Sequence, residues 1–152
     1  MELKPTIGLD NIKFGMFQKM VYQILGLPDK IRIDEDDSDN IYMEYNNLKL
    51  RLTIYKNEDN RLGYLCTSNP NLTYNNFKII DCNVDWVKTE IFGDLIQNWE
   101  IDDYDTFSTH GDDKCWITLN VEYGRVISLE LGTPWKNEEE YEWPQQWESI
   151  TN

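Results

Sequence analysis

A strict alternation of apolar and polar residues between Leu48 and Tyr55 constrains the fold of this chain most strongly. Leucine or isoleucine occupies every second position of this stretch, and lysine, arginine, threonine or tyrosine occupies the others. Successive side chains of a β-strand point to opposite faces of the sheet. The alternation is therefore typical of a strand in a sheet that has one buried face.

Two other stretches have the apolar spacing of three and four residues that is typical of amphipathic helices. The first covers residues 10–26, and Gly26 followed by Pro28 is a common helix ending. The second covers residues 84–99, although Gly93 in its middle costs a helix about 1 kcal/mol relative to alanine. The sequence thus predicts one helix in each half of the chain.

Strands are predicted after both helices. In the first half they cover residues 41–45, 48–55 and 61–67. In the second half they cover 105–109, 115–123 and 125–131, with a turn at Tyr123-Gly124. We therefore predict an α+β fold, with an antiparallel β-sheet, two helices and tandem αβββ halves in one unit. The alternative is that an α+β domain with hairpins has this order by chance.

The length of 152 residues suits one domain with a substantial core. Its halves would cover about residues 1–70 and 71–131. An aromatic and acidic C-terminal flap, residues 132–152, would follow them. The first 15 residues lack the features of a targeting segment, and we expect a cytoplasmic location in a bacterium. The cysteines Cys66, Cys82 and Cys115 are odd in number and form no CxxC motif, which predicts reduced and mostly buried thiols.

The charge of the chain is strongly one-sided. It has 28 Asp and Glu residues against 14 Lys and Arg residues, which gives a net charge of -14. Such a field repels the phosphates of nucleic acids and anionic membranes, so we predict neither as a partner. It attracts basic proteins and speeds their encounter. The alternative is that the charge serves only solubility.

Motifs for catalysis or metal binding are not recognisable. Close Cys and His pairs for zinc, a glycine-rich phosphate loop and a nucleophile elbow are all missing from the sequence. His110 is the single histidine, and we expect it to lie exposed in a turn at residues 110–113. The calcium-loop pattern that begins at Asp34 fails at Asp39, where glycine is needed, and at Tyr45, where glutamate is needed. We predict no catalytic residue, no metal ligand and no cofactor.

The carboxylates are clustered in three places. Residues 34–39 hold five in six positions, residues 100–113 hold six, and the flap adds Glu138, Glu139, Glu140 and Glu142. Like charges this close repel one another, and a basic partner would relieve that repulsion; a solvated loop is the alternative. Trp135, Tyr141, Trp143 and Trp147 flank the flap glutamates, and aromatic rings often anchor interfaces. The predicted partner-binding residues are Asp34, Glu35, Asp36, Asp37, Asp39, Asp102, Asp103, Tyr104 and Asp105.

The opening segment resembles one that is common in small bacterial immunity proteins. That segment has an Ile-x-Phe-Gly-Met turn, a helix and a Leu-Gly-x-Pro ending. The corresponding residues here are Ile12, Phe14, Gly15, Met16, Leu25, Gly26 and Pro28. Acidic chains of this plan resemble the immunity partners of polymorphic toxins, including those of contact-dependent growth inhibition. The tandem plan of helix and sheet also resembles β-lactamase-inhibitor-like folds.

The resemblance implies a protein that binds one cognate toxin domain in a 1:1 complex and blocks its active site. A toxin nuclease is basic where it holds the phosphate backbone, so an acidic inhibitor complements that site. Two other classes stay open from the sequence. One is an acidic DNA mimic or another regulator of a basic protein, and the other is an enzyme with an unrecognised carboxylate site.

Overall fold

The structure is a computed structural model that describes residues 1–37 and 39–144. Helix α1 spans Gln18–Leu25, and helix α2 spans Val84–Trp86 and continues as a π-helical turn over Val87–Ile91. The strands of the described residues are, in chain order, β1 Leu3–Lys4, β2 Gly8–Leu9, β3 Ile12–Lys13, β4 Lys30–Ile33, β5 Asn40–Tyr45, β6 Leu50–Tyr55, β7 Arg61–Thr67, β8 Thr73–Tyr74, β9 Phe77–Lys78, β10 Glu100–Asp103, β11 Ser108–Asp112, β12 Ile117–Glu122 and β13 Arg125–Gly132.

Eight strands form one antiparallel sheet in the order β10-β11-β12-β13-β7-β6-β5-β4. Each half of the chain supplies a helix and then four consecutive strands. The last strands of the two halves, β7 and β13, pair with each other at the centre of the sheet. The predicted α+β class, with an antiparallel sheet and two helices, is confirmed. Each half contributes one strand more to this sheet than the predicted αβββ plan, because the edge strands β4 and β10 were not predicted. The two-residue strands β1–β3 and β8–β9, which form two small separate sheets, were not predicted either.

The core lies between one face of this sheet and a layer that includes the helices. Leu50, Leu52 and Ile54 of β6 are almost fully buried, as the alternation predicted from Leu50 onward, although Thr53 between them is buried as well. Residues 46–49 form the preceding turn, so the strand begins two residues later than predicted. Removal of each such side chain from water stabilises the fold by roughly 1.5–3 kcal/mol. The opposite face of the sheet, here called the open face, carries polar side chains.

The first helix is shorter than the predicted residues 10–26. The residues directly before Gln18 form a turn at 14–15 and then an extended residue, Phe17, that bridges to Arg61 of β7. The Gly15 N–H donates to the Leu62 carbonyl, and the Leu62 N–H donates to the Met16 carbonyl. These bonds use backbone groups that a helix would need for its own i to i−4 pairs.

The second helix also ends early, at Ile91 instead of residue 99. Residues 93–95 form a turn, and a side chain at Gly93 would collide with the carbonyl oxygen of Thr89. Ile96 lies beyond this turn and is buried although it is not part of the helix. Its burial therefore comes from the packing of the segment after the helix. None of the described helices has the length and apolarity that a membrane crossing requires.

Candidate partner interface

The C-terminal flap folds back onto the sheet around Tyr141. The Tyr141 ring stacks on Tyr55, the last residue of β6, with centroids 5.3 Å apart, and on Trp135 with centroids 4.0 Å apart. The Thr133 hydroxyl donates to the Glu142 carbonyl at 3.2 Å and closes the loop. The flap therefore packs against the sheet as far as Trp143, whose ring lies beneath the Arg61 guanidinium. Trp147, the remaining aromatic residue predicted for the interface, lies outside the described residues.

The tip of the flap presents its glutamates to solvent. The side-chain oxygen of Asn137 accepts hydrogen bonds from the N–H groups of Glu139 and Glu140, both at 2.9 Å. The Lys136 N–H donates to the Glu140 carbonyl at 2.8 Å. These bonds form a tight turn in which Glu138, Glu139 and Glu140 are exposed. The turn fixes the backbone that carries the three charges, so ordering this backbone costs little further entropy on binding.

The acidic loop between β4 and β5 is held in a similar way. Asp34 accepts a hydrogen bond from the Asp36 N–H, and Asp37 accepts one from the Asp39 N–H, both at 3.0 Å. Such Asx turns use the carboxylates to satisfy the backbone of the loop. The neighbouring Glu35 and Asp36 are exposed.

Asp34 has a further partner on the open face. The Tyr42 hydroxyl donates to Asp34 Oδ2 at 2.6 Å. This bond, together with the Asp36 N–H, lowers the pKa of the Asp34 carboxyl below its usual value because both donors stabilise the ionised form. The same contact raises the pKa of Tyr42. Asp34 is therefore an ionised acceptor that anchors the loop to the sheet.

The flap and the acidic loop lie at the same end of the sheet. Asn40, directly after the loop, pairs with Tyr55, on which Tyr141 of the flap stacks, and the Lys56 N–H in the turn after β6 donates to the Asp39 carbonyl at 2.8 Å. Burial raises the pKa of Tyr141, a hydrogen bond with Tyr55 opposes this effect, and the charges of Glu58 and Asp37 add to it. Trp135 remains 44% exposed beside them. We call this region the acidic end, defined by Asp34, Glu35, Asp36, Asp37, Asp39, Glu58, Asp59, Trp135, Glu138, Glu139, Glu140 and Tyr141.

The second predicted cluster lies elsewhere. Glu100–Asp103, predicted as a loop with Tyr104, forms β10 at the opposite edge of the sheet from β4. Seven strand spacings separate the two edges, which is roughly 34 Å. The turn that contains Tyr104 and Asp105 is also at the other end of the strands, because the sheet is antiparallel throughout. The structure therefore brings the loop 34–39 to the flap and not to Asp102, Asp103, Tyr104 and Asp105.

Two residues of the acidic end, Glu58 and Asp59, and the neighbouring Tyr55 were not singled out from the sequence. Glu58 and Asp59 belong to a turn whose charge is unremarkable by itself, and Tyr55 ends a strand as one of several polar-face residues. Tyr55 reaches the flap because β6 lies two strands from β13, from which the flap departs. The alternation of β6 predicted that Tyr55 faces away from the core, but no local signal predicted its partner.

The open face beside the acidic end has its own polar network. Tyr42 lies between the guanidinium groups of Arg32 and Arg51, at 4.7 and 4.8 Å from its ring centre. The Tyr64 hydroxyl donates to Glu130 at 3.1 Å. Burial is the main cause of the raised pKa of Tyr64, so this phenol stays neutral and is no base at neutral pH. Shallow depressions of about 520 and 260 Å³ lie on this face.

His110 is buried in β11, so the prediction of an exposed turn residue is wrong. Only 7% of its surface is exposed. The Lys88 ammonium lies 3.0 Å from His110 Nδ1, and the Ser108 hydroxyl lies 3.1 Å from Nε2. An ammonium can only donate, so Nδ1 accepts and the imidazole is neutral. Burial lowers the pKa of His110, and the charge of Lys88 lowers it further.

The stability of the fold should therefore decline as the pH falls through the range just below 6.5. The unfolded chain takes up a proton on histidine near that pH, whereas the folded chain resists it until a lower pH. Between the two pKa values the unfolded state binds more protons, so acid favours unfolding; above them the contribution is constant. Urea titrations at several pH values should show that acidification lowers the free energy of unfolding less for His110→Gln than for the wild type. An equal decrease in both proteins would contradict a buried, neutral His110.

Other reactive groups form no recognisable centre. Within residues 1–37 and 39–144, no group of three or more His, Cys, Asp or Glu side chains is arranged to hold a metal ion. The three cysteines are free; Cys115 is buried and Cys66 and Cys82 are half-buried. Burial raises the pKa of the Cys66 and Cys115 thiols, which disfavours the reactive thiolate.

Comparison with known proteins gives a likeness of fold. No protein-family model matches the sequence, and no curated protein matches it. Among solved structures, an extracellular protein containing an SCP domain from Bacillus anthracis str. Ames is similar, with a TM-score of 0.54 and 10% sequence identity. The similarity covers 87% of this chain and 47% of the Bacillus protein, so this chain spans about half of that structure. At this identity the similarity shows the fold alone.

Proposed function

We propose that this protein is an immunity protein that binds a cognate bacterial toxin domain, a basic nuclease, and blocks its active site in a 1:1 complex. The observation that carries the proposal is the convergence of two acidic segments, distant in sequence, on one end of the sheet. Asn40, directly after the loop 34–39, pairs with Tyr55 of β6, and the Tyr55 ring stacks on Tyr141 of the flap. The resemblance of residues 12–28 to immunity proteins also supports it.

The acidic end has the composition of an interface for a basic partner. Its exposed carboxylates steer a cationic surface during encounter, and this raises the association rate. Trp135, which stacks on Tyr141, is partly exposed, and tryptophan is among the residues that most often dominate binding energy. Because Asx turns fix the loop backbone, few additional degrees of freedom are lost on docking.

Binding is favoured over catalysis by the state of these groups. The lowered pKa of Asp34 suits a permanent negative charge and not a general acid, which needs a raised pKa. The carboxylates of the loop and the flap tip are exposed rather than enclosed in a cleft. An open acidic surface complements a phosphate-binding site of another protein without chemistry of its own.

The direct test is a pull-down from the organism that encodes the chain, with purified protein as bait. We expect a basic protein with nuclease activity to be captured. Titration of this protein into the captured nuclease should abolish cleavage of RNA or DNA at a 1:1 molar ratio. A captured partner that has no nuclease activity, or whose activity is unchanged by the titration, would overturn the proposal.

Neutralisation of the acidic end should slow association with that toxin. The variant Glu35→Gln, Asp36→Asn, Glu138→Gln and Glu139→Gln removes four charges that make no side-chain hydrogen bond among the described residues. We expect about tenfold slower association at low ionic strength, and a smaller difference as salt screens the field. Surface plasmon resonance at two salt concentrations measures both effects.

The matched control carries the same change in net charge at the other corner of the sheet. It combines Glu100→Gln, Asp102→Asn, Asp103→Asn and Asp105→Asn, and its association rate should stay within about twofold of the wild type because these charges lie roughly 34 Å away. Slower association in the control but not in the first variant would place the interface at β10 instead.

A further inference from the structure

The two outer strands of the eight-stranded sheet carry opposite charges. Strand β4 has the sequence Lys-Ile-Arg-Ile and β10 has Glu-Ile-Asp-Asp, and all eight side chains are exposed. Each strand pairs on one side only, with β5 and with β11, so its outer backbone N–H and C=O groups have no strand partner among the described residues. Unpaired edges of this kind are templates for another strand.

The side chains of both edges are distributed over the two faces in a matching way. Lys30 pairs with Glu44 and Arg32 with Tyr42, which places both cations on the open face. Glu100 pairs with Gly111 and Asp102 with Thr109, so these two carboxylates are also on the open face. Ile31 and Ile101 both lie on the helix-bearing face, 52% and 49% exposed. On both edge strands, therefore, these charged side chains lie on the open face and the isoleucine between them lies on the helix-bearing face.

We propose that β4 of one molecule pairs with β10 of a second copy of this chain and joins the two sheets edge to edge. Neighbouring strands are antiparallel throughout the sheet, so β4 and β10 run in opposite directions. A second copy placed beside the first, and turned only as far as continuation of the sheet twist requires, therefore presents β10 antiparallel to β4 with the open faces on the same side. This placement gives both the antiparallel strand direction and the same orientation of the two open faces.

One register satisfies all three side-chain pairs at once. When Ile31 lies opposite Ile101, Lys30 lies opposite Asp102, and Arg32 lies opposite Glu100. Each opposite-charge or apolar cross-strand pair is favourable, and like charges directly opposite are unfavourable. Arg32 already contacts Glu44 at 3.2 Å, so Glu100 of the second copy approaches it from its free side.

The same charges disfavour the symmetric alternatives. Pairing of β4 with β4 would oppose cations, and pairing of β10 with β10 would oppose carboxylates. The favoured contact is therefore heterologous and leaves a free edge at each end of the assembly, so that further copies add in a line. The net charge of -14 opposes close approach, and we expect association only at high protein concentration and with that long-range repulsion screened by salt.

The test is sedimentation velocity at an ionic strength of about 0.15 M, where the Debye length is about 8 Å. The sedimentation coefficient of the wild type should rise with concentration. The variants Lys30→Glu/Arg32→Glu and Glu100→Lys/Asp102→Lys should each associate at least about tenfold more weakly, since both turn attractive pairs into repulsive ones. The variant Lys78→Glu/Lys114→Glu, with the same charge change as the first but on other exposed residues, should associate within about threefold of the wild type.

A mixture of the two edge variants provides the decisive measurement. Each variant opposes like charges when alone, whereas the mixture restores opposite charges at every contact between unlike molecules. We expect the equimolar mixture to associate as the wild type does. A wild type that stays monomeric throughout, an association that survives either charge reversal, or a mixture that stays monomeric would overturn the proposal.

Discussion

Replacement of Phe92 by alanine is expected to lower the free energy of unfolding by about 3–5 kcal/mol. The side chain is fully buried where the second helix ends. Its ring stacks on Tyr74 of β8 with centroids 5.2 Å apart and meets Trp99 edge-on at 6.0 Å. Removal of the ring leaves a cavity among three segments that cannot all collapse into it, and the cost of such a cavity adds to the lost transfer free energy.

The measurement is urea denaturation followed by circular dichroism. Phe77→Ala is the control, because Phe77 is 46% exposed and its ring meets Trp86 in a T-shaped contact with centroids 5.9 Å apart. That change should cost at most about 1.5 kcal/mol. If Phe92→Ala does not fold, Phe92→Leu retains much of the volume and should fold with a loss below about 2 kcal/mol. Equal losses for Phe92→Ala and Phe77→Ala would contradict the packing described.

Replacement of Gly63 by alanine is the second change with a large expected effect. Gly63 lies in β7 beneath the ring of Tyr55, and a Cβ atom there would overlap three atoms of that ring. The ring would have to swing away from Tyr141, on which it stacks at 5.3 Å. We expect a loss of about 1–3 kcal/mol from overpacking and release of the flap from the sheet.

Gly111→Ala is a matched control on the same sheet. A Cβ at Gly111 would meet its nearest neighbour, the Thr118 hydroxyl, at an ordinary 3.6 Å. This change should be neutral or stabilise by up to about 1 kcal/mol, because it restricts the unfolded chain. Thermal unfolding measures stability, and the fluorescence of Trp135, which stacks on Tyr141, together with proteolysis of the flap reports its release. A flap that stays protected in Gly63→Ala would show that the Tyr55 ring does not hold it.

The sequence was informative where burial follows a local period. The strands β6 and β7 could be predicted because most of their apolar residues face the core, and the turn at Tyr123-Gly124 could be predicted because glycine readily adopts the positive φ that such a turn requires. The edge strands β4 and β10 have no buried residue and hence no such period, and they were missed. His110 was misplaced because Lys88, its ammonium partner, lies 22 residues away on the second helix.

The candidate interface could also be predicted only in part. Composition identified the loop 34–39 and the flap as acidic and aromatic, since charge density is visible locally. Their meeting depends on the strand order β13-β7-β6-β5, which brings the end of β6 and the start of the flap together. The cluster around Tyr104 has an equally suggestive composition, yet the strand order carries it to the far corner. Composition alone does not separate these two outcomes.

The pairing of β7 with β13 at the centre of the sheet has a consequence for synthesis. When Thr67 has emerged from the ribosome, β4 to β7, which form half of the eight-stranded sheet, are available to fold, but the edge of β7 still lacks its neighbour. That neighbour begins at Arg125, roughly 60 residues later, which corresponds to about 3–12 s at ordinary translation rates. During this interval the nascent chain presents two open edges, one of them rich in leucine. The nascent chain is therefore most prone to aggregation before β13 has been synthesised. A slow translation step between residues 68 and 124 would lengthen this interval.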